Sequence, residues 1–527
     1  SLIPQRIFFF SEIRPVFRSF RKCVVKSNLC AIISPRGEKC GLGLALFHIC
    51  ATLLIAITGS GCATNPVSGN PDFVMMSEDQ EIALGRQYHA EILKVFRKYD
   101  DPDLQQYVEN VVDGLGETSH RQELIYHVTV LDSPEVNAFA LPGGYLYITR
   151  GIMSYMNSEA QLAGVLGHEI GHVTARHSVR QHATAQGLGL LAMIITTAAR
   201  TPGVGDLTNV LGTALIRGYG REHELEADRL GAEYLARNEY DPEAMIDVIG
   251  ILKNQELFEK QRAEEEGREP RVYHGTFSTH PDNDQRLQEV VGAAEQFSEG
   301  EPRPDERDAF LRRLQGMVIG PGEYEGVLRG RNFYHKHLGV GISFPEGWKV
   351  ENKPDRLLAS PSDNSALIQV TSQDLNRKEP PADFLRRLHD GRLEGGEEIS
   401  TADFQGYTGA SKVKTPFGRR KARVAAMFQA KRAYIFAAAS KDEDAQTDPN
   451  DPLYLETIKS LRVLTAEERE LAEPRRLNLI ETQTGDTFAK LAEDSAFSHH
   501  AEEQLRLLNG MYPDGEPEPG QLLKVVK

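Results

Sequence analysis

Past Cys62 the chain has no cysteine: Cys23, Cys30, Cys40, Cys50 and Cys62 are the whole complement of 527 residues. No disulfide framework can brace the folded part, and thiolate zinc sites and cysteine-nucleophile chemistry are excluded with it. A basic stripe is missing too. The formal net charge is −16, and residues 1–61 carry eight Lys/Arg against Glu12 and Glu38, a local +6 that leaves −22 for residues 62–527. Such a surface repels phosphate backbones, so nucleic acid is excluded as a partner. The apolar run Leu188–Ala199 stops at Arg200-Thr201-Pro202, well short of the roughly twenty residues a bilayer span needs. It reads as a buried or cleft-covering helix. Internal repeats and long low-complexity segments are absent as well.

What is present is ordinary for soluble protein: 40% hydrophobic and 26% charged residues, in a chain long enough for about three domains. Arg36 and Lys39 precede an apolar run from Gly41 to Ile57, and Gly59-Ser60-Gly61-Cys62 follows with small residues, the pattern of an export signal. That ending resembles a bacterial lipobox, with Gly59 where the pattern usually has Leu. The resemblance implies a lipid on Cys62 and, with Ala63 next, an outer-membrane anchor facing the periplasm. Residues 1–35 begin without Met and are basic and irregular, the texture of translated upstream sequence.

From Ser77 to Leu115 apolar residues recur at helical spacing, with a break at Asp101-Pro102. Two β-rich stretches, Leu124–Leu131 and Asn137–Thr149, predict a small sheet with a turn at Pro142-Gly143-Gly144. Ser158 and Gln161 have capping-box spacing ahead of Leu162, Val165, Leu166, Ile170 and Val173, which predicts a helix. Gly164, Gly167 and Gly171 would each weaken that helix by about 1 kcal/mol in isolation, so close backbone packing is expected around them. A further helix is predicted over 221–237 and another after Tyr240-Asp241-Pro242.

The predicted helix carries His168-Glu169-Ile170-Gly171-His172. Residues four apart share a helix face, so both imidazoles can meet one zinc ion while Glu169 reaches a water beside it. A catalytic zinc needs a third protein ligand and an open position. Arg221-Glu222-His223-Glu224-Leu225-Glu226-Ala227-Asp228 supplies two carboxylates on one face, Glu224 and Asp228: one can bind metal while the other orients a histidine ring. Glu222 and Glu226 read as a solvated helix face.

HExxH followed by Glu-x-x-Ala-Asp resembles the gluzincin metallopeptidase family that contains the CAAX prenyl protease, HtpX and the periplasmic BepA-type proteases. Asn137-Ala138-Phe139-Ala140-Leu141-Pro142-Gly143-Gly144 and Thr279-His280-Pro281 match as well; Gly220 stands where relatives often have Ser. The resemblance implies one zinc held by His168, His172 and Glu224, Glu169 as catalytic base, Asp228 behind a ligand histidine, and His280 as a latch on the open zinc position. Asn137, Ala138, Phe139 and Ala140 are the candidate strand for pairing an extended substrate through its backbone.

Further on, Phe344-Pro345-Glu346-Gly347-Trp348 resembles α+β modules of the PsbP or Mog type. Gly485-Asp486-Thr487-Phe488, Leu508-Asn509-Gly510 and Pro519-Gly520-Gln521-Leu522 resemble a LysM-like domain, a peptidoglycan-binding fold. The expected organisation is multidomain. Residues 1–61 are the upstream region and signal; residues 62–300 form a mainly α-helical zincin metallopeptidase domain with a small β-sheet. An α+β domain over 321–465 and a small LysM-like domain over 475–527 follow. The function expected is zinc-dependent endopeptidase action on unfolded or misassembled envelope proteins. The alternative is a zinc-retaining chaperone-like or cell-wall-anchored scaffold.

Overall fold

The computed structural model describes residues 62–69, 71–73, 76–183, 220–267, 269–270, 283–297, 301–353, 355–441 and 448–527. The signal-like segment, the run Leu188–Ala199 and Thr279-His280-Pro281 lie outside them. Among the described residues no helix is long and apolar enough to cross a membrane.

A short hairpin, β1 (Cys62–Thr64) and β2 (Pro71–Phe73), leads to α1 (Glu78–Val95). Ser77 and Gln80 cap α1 reciprocally, and α2 (Pro102–Glu117) starts on the Asp101 side chain with proline at its first position, where the missing N–H does no harm. Three strands follow: β3 (His127–Leu131), β4 (Ala138–Leu141) and β5 (Tyr145–Thr149). Their order is β3-β5-β4, with β3 parallel and β4 antiparallel to the central strand. β4 is therefore an edge. The one-turn α3 (Arg150–Met153) then feeds the buried helix α4 (Glu159–Thr174).

Behind α4 come α5 (His177–Ala183), α6 (Arg221–Arg237), α7 (Ala244–Glu265), α8 (Asn283–Phe297) and α9 (Arg307–Leu314). Two of the three glycines of α4 meet backbone closely, while Gly164 meets the Met245 and Val248 side chains of α7. A Cβ on Gly167 would lie 3.4 Å from Gly231 Cα, and one on Gly171 would lie 3.2 Å from Ala227 Cα, both on α6. At Gly171 a Cβ would be tighter than ordinary contact, while at Gly167 it would just reach it, so Gly171 is the glycine that lets α6 sit this close to α4.

Strand β6 (Val318–Ile319) opens an insertion. Within it are β7 (Val327–Arg329), β8 (Asn332–His335), β9 (Val340–Ser343), β10 (Lys349–Lys353), β11 (Arg356–Ser360) and β12 (Ala366–Asp374). Helix α10 (Pro381–Leu388) and strands β13 (Glu394–Ser400), β14 (Gln405–Thr415), β15 (Gly418–Gln429) and β16 (Arg432–Ser440) come next. Helix α11 (Asp451–Lys459), β17 (Arg462–Val463) and α12 (Ala466–Leu471) close it. Seven of these strands form one antiparallel sheet, β10-β11-β12-β16-β15-β14-β13, and β17-β9-β8-β7 form a second. One face of the large sheet shares a core with the second sheet and α11, through Phe344, Phe436 and Tyr454. The other carries α10 through Phe384 and Leu385.

The last 53 residues do not stand apart. They contain β18 (Arg475–Glu481), α13 (Phe488–Glu493), α14 (Ala501–Leu508) and β19 (Leu522–Val526). β18 pairs with both β19 and β6, and Leu477, Phe488, Leu505 and Val526 join the hydrophobic cluster of α4. The α+β unit is thus inserted between two strands that are neighbours. Lys524 is fully buried, and its Nζ donates at 2.7 Å to the carbonyls of Ser154 and Met156 in the lead-in to α4.

Burial, reinforced by Arg307, holds the Lys524 amine well below its ordinary 10.5. At low pH the amine is charged in folded and unfolded chains alike, and the burial penalty is present in full. Above the folded pKa the unfolded chain still binds a proton that the folded one lacks, so stability rises with pH until both are neutral past 10.5. Thermal unfolding of wild type and Lys524→Met between about pH 7 and 10 checks this. Wild type gains on the variant as pH rises; a constant gap would mean that the amine keeps its charge on folding.

Candidate metal centre

Helix α4 starts on Ser158, whose hydroxyl accepts from the Gln161 amide at 3.2 Å. The Gln161 side chain, expected to answer the cap, instead accepts from Asn157 N at 2.7 Å. The first residue of the helix, Glu159, is held by the Tyr107 and Tyr240 hydroxyls at 2.5 and 2.8 Å and by Arg303 at 2.5 Å. With both ends of its lead-in pinned, α4 presents His168 and His172 on its α6 face.

The two Nε2 atoms are 3.0 Å apart, with the rings nearly perpendicular at 83°. Glu224 of α6 brings Oε2 to 3.6 Å from His168 Nε2 and Oε1 to 3.7 Å from His172 Nε2. Among the described residues these three form a group whose ligand atoms all lie within 4.8 Å of one another. All three are buried, as is Glu169, one position round the helix.

Groups behind the two rings decide which nitrogens carry protons. Asp228 Oδ1 lies 2.8 Å from His168 Nδ1, and Arg286 grips the same carboxylate with Nε and Nη2 at 2.7 Å each. Burial opposes the Asp228 charge, but Arg286 and His168 outweigh it and hold the carboxyl far below the usual range. An ionised carboxylate only accepts, so it draws the His168 proton onto Nδ1 and leaves Nε2 as a lone pair.

His172 is served by a longer chain. Glu226 Oε2 accepts from His177 Nε2 at 3.0 Å and from Arg180 at 2.9 Å. Burial opposes that carboxylate too, yet the hydrogen bonds from His177 and Arg180 hold it down at about 2. His177 Nδ1, left bare, accepts from His172 Nδ1 at 2.7 Å, and His172 Nε2 is bare in turn. Glu226 is therefore no solvated face, as its sequence position implied; it sets a proton arrangement two residues away from itself in space.

Two bare imidazole nitrogens and a carboxylate thus converge in a buried space. Their lone pairs repel unless a cation lies between them, and ligands about 2.0–2.2 Å from one tetrahedral zinc would stand roughly 3.3–3.5 Å apart. The observed 3.0, 3.6 and 3.7 Å fit such an ion.

The candidate substrate strand lies alongside. Ala140, Leu141 and Pro142 line one small cavity with His172. Thr149 N donates to Asn137 O at 3.0 Å, so Asn137 is tied to β5. By antiparallel alternation Phe139 and Leu141 face β5 too, while the main-chain groups of Ala138 and Ala140 face the outer edge.

Residues 99–294 match the description of Peptidase family M48. That segment is an M48 peptidase domain. The chain is 29% identical over 259 residues to the Beta-barrel assembly-enhancing protease of Yersinia pestis, covering 47% of this chain and 51% of that one. Identity to the protein of the same name from Escherichia coli K12 is 29% over 267 residues, with 47% and 53% covered. The Mitochondrial metalloendopeptidase OMA1 of Arabidopsis thaliana is 32% identical over 136 residues, 26% and 27% of the two chains. The chain thus spans about half the length of the first two relatives, and the M48 domain contains the whole constellation just described.

Three contributors to the M48 site were not singled out in the sequence. Arg286 had a signal: with Val290 and Ala294 it forms a buried i, i+4, i+8 stripe, where a lone cation calls for a buried partner. His177 and Glu226 had none, because their meeting depends on the backbone of Arg176, which turns left-handed at φ 54 and ends the helix.

Proposed function

We propose that this protein is a zinc-dependent metalloendopeptidase of the bacterial cell envelope. The observation that carries the reading is the convergence of His168 Nε2, His172 Nε2 and a Glu224 carboxylate within 4.8 Å, with Glu169 buried beside them on α4. In this reading His168, His172 and Glu224 hold one zinc ion. Bound there, zinc supplies Lewis acidity, lowering the pKa of water towards about 7 and polarising the scissile carbonyl.

The chain's own residues do the rest. Glu169 takes a proton from the attacking water onto its carboxylate and delivers it to the departing amine nitrogen. Asp228 and Arg286 keep His168 in the Nδ1–H form, and Glu226 through His177 does the same for His172. Ala138 and Ala140 hold an extended peptide by main-chain hydrogen bonds, which reads backbone shape rather than side-chain sequence. Unfolded or misassembled envelope proteins suit such a strand, and the name of the bacterial relatives, a β-barrel assembly-enhancing protease, agrees with that class. The proposal places the protein at the periplasmic face of the outer membrane through a lipid on Cys62, with peptidoglycan as a further partner of residues 475–527.

Metal removal tests it. Purified full-length protein is expected to contain about one zinc per chain and to cleave casein. Dialysis against a chelator abolishes cleavage, and stoichiometric zinc restores it. Cleavage that survives the loss of all zinc would overturn the reading.

A further inference from the structure

The insertion holds a cavity of about 130 Å³ between α10 and the seven-stranded sheet, far in sequence from the metal centre and unused by its chemistry. Leu367, Leu388, Val413, Ile435 and Ala437 give it apolar walls. Cavities of about 150 Å³ accept a benzene-sized guest, so this one has room for a ring or a short stretch of acyl chain. One polar group interrupts the walls. His389, just past the end of α10, lines the cavity, and its buried Nε2 has no hydrogen-bond partner among the described residues. Burial keeps that ring neutral against the pull of Asp390, so it can offer an N–H to an acceptor.

The cavity reaches the β14–β15 turn, where Lys414, Thr415 and Pro416 line it. Residues 412–423 contain six Lys/Arg and no acid, in a chain of net charge −16. Lys412 stands directly opposite Lys421, and Lys414 opposite Arg419, pairings that repel. Glu394 answers Lys421 at 2.9 Å and Asp451 answers Arg423 at 2.7 Å, while Lys412, Lys414 and Arg419 are exposed. A hairpin that tolerates such repulsion beside an apolar cavity is complementary to a ligand that is apolar at one end and anionic at the other.

We propose that this cavity binds an anionic amphiphile, taking an acyl segment between α10 and the sheet and a single carboxylate or phosphate head between His389 and the cationic β14–β15 turn. Each methylene that enters adds affinity by about fourfold, while the head gains from the turn only as a charged group and is weakened by salt.

The test is calorimetric titration of full-length protein with decanoate, decanol and butyrate, each below its aggregation limit. Decanoate is expected to saturate one site, with decanol and butyrate each at least about tenfold weaker. Ala437→Leu fills the cavity and lowers decanoate affinity by at least about tenfold with melting temperature and casein cleavage unchanged. Lys414→Glu weakens decanoate and leaves decanol unaffected. Vesicles of phosphatidylglycerol separate a cavity ligand from surface attraction: equal binding of vesicles by wild type and Ala437→Leu, with no saturable decanoate site, would overturn the proposal. So would decanol binding as tightly as decanoate, or a folded Ala437→Leu that binds decanoate like wild type.

Discussion

Glu169→Gln is expected to keep the zinc content of wild type and to lose casein cleavage by about 10²–10⁴-fold, the contribution of a positioned general base. Glutamine has the same shape and size, so the packing of a residue only 1% exposed survives. It cannot take up a proton, so the water is no longer activated and the leaving amine is not protonated. Because Glu169 sits between two candidate ligands without being one, metal content separates a lost base from a lost site. A variant that cleaves within about tenfold of wild type would remove Glu169 from the mechanism. Full zinc with no cleavage by wild type itself would favour the scaffold reading.

The second large effect is structural. Glu81→Ala should lower stability by about 3 kcal/mol, the lower end of the cost of breaking a buried ion pair. Glu81, 1% exposed, accepts from Arg121 at 2.8 Å and from Arg176 at 2.8 Å, and both arginines are themselves buried. Arg121 keeps Glu78 at 2.6 Å, which moderates the loss. Arg176 keeps only the Met76 carbonyl at 2.9 Å among its described contacts. A drop of about 6–12 °C in melting temperature is expected for a unit of this size, together with weaker zinc retention, because Arg176 is the left-handed residue that turns His177 under His172. A melting point within about 2 °C of wild type would show that the pair contributes little.

Much of the catalytic region was legible because its signals are local. The cap at Ser158, the break at Asp101-Pro102 and the apolar spacing along α4 each follow from neighbours in sequence, and the glycines of α4 announced close packing without naming α6 as the partner. In the insertion, the apolar stretches 366–371, 422–429 and 433–439 mark the positions of β12, β15 and β16. β13 has no such mark: Glu394-Gly395-Gly396-Glu397 is polar, sits at the sheet edge and is a strand only because β14 offers it partners. The proton arrangement behind His172 was equally invisible, since it depends on a backbone turn and on side chains 49 residues apart. Nor could composition reveal that the last strand belongs to the core of α4, because that is decided by where Lys524 ends its path.

That path has a consequence for assembly. The bond from Lys524 to Ser154 closes a loop of 370 residues, among the most distant contacts in the chain, and loop-closure entropy makes such contacts late to form. Most ladders of the insertion join strands adjacent in sequence, local pairings expected to form before β6 meets β18. A chain in which β19 has not yet docked therefore lacks the peg that fixes the lead-in to α4. Docking of β19 and fixing of the lead-in to the helix of His168 and His172 become the same event.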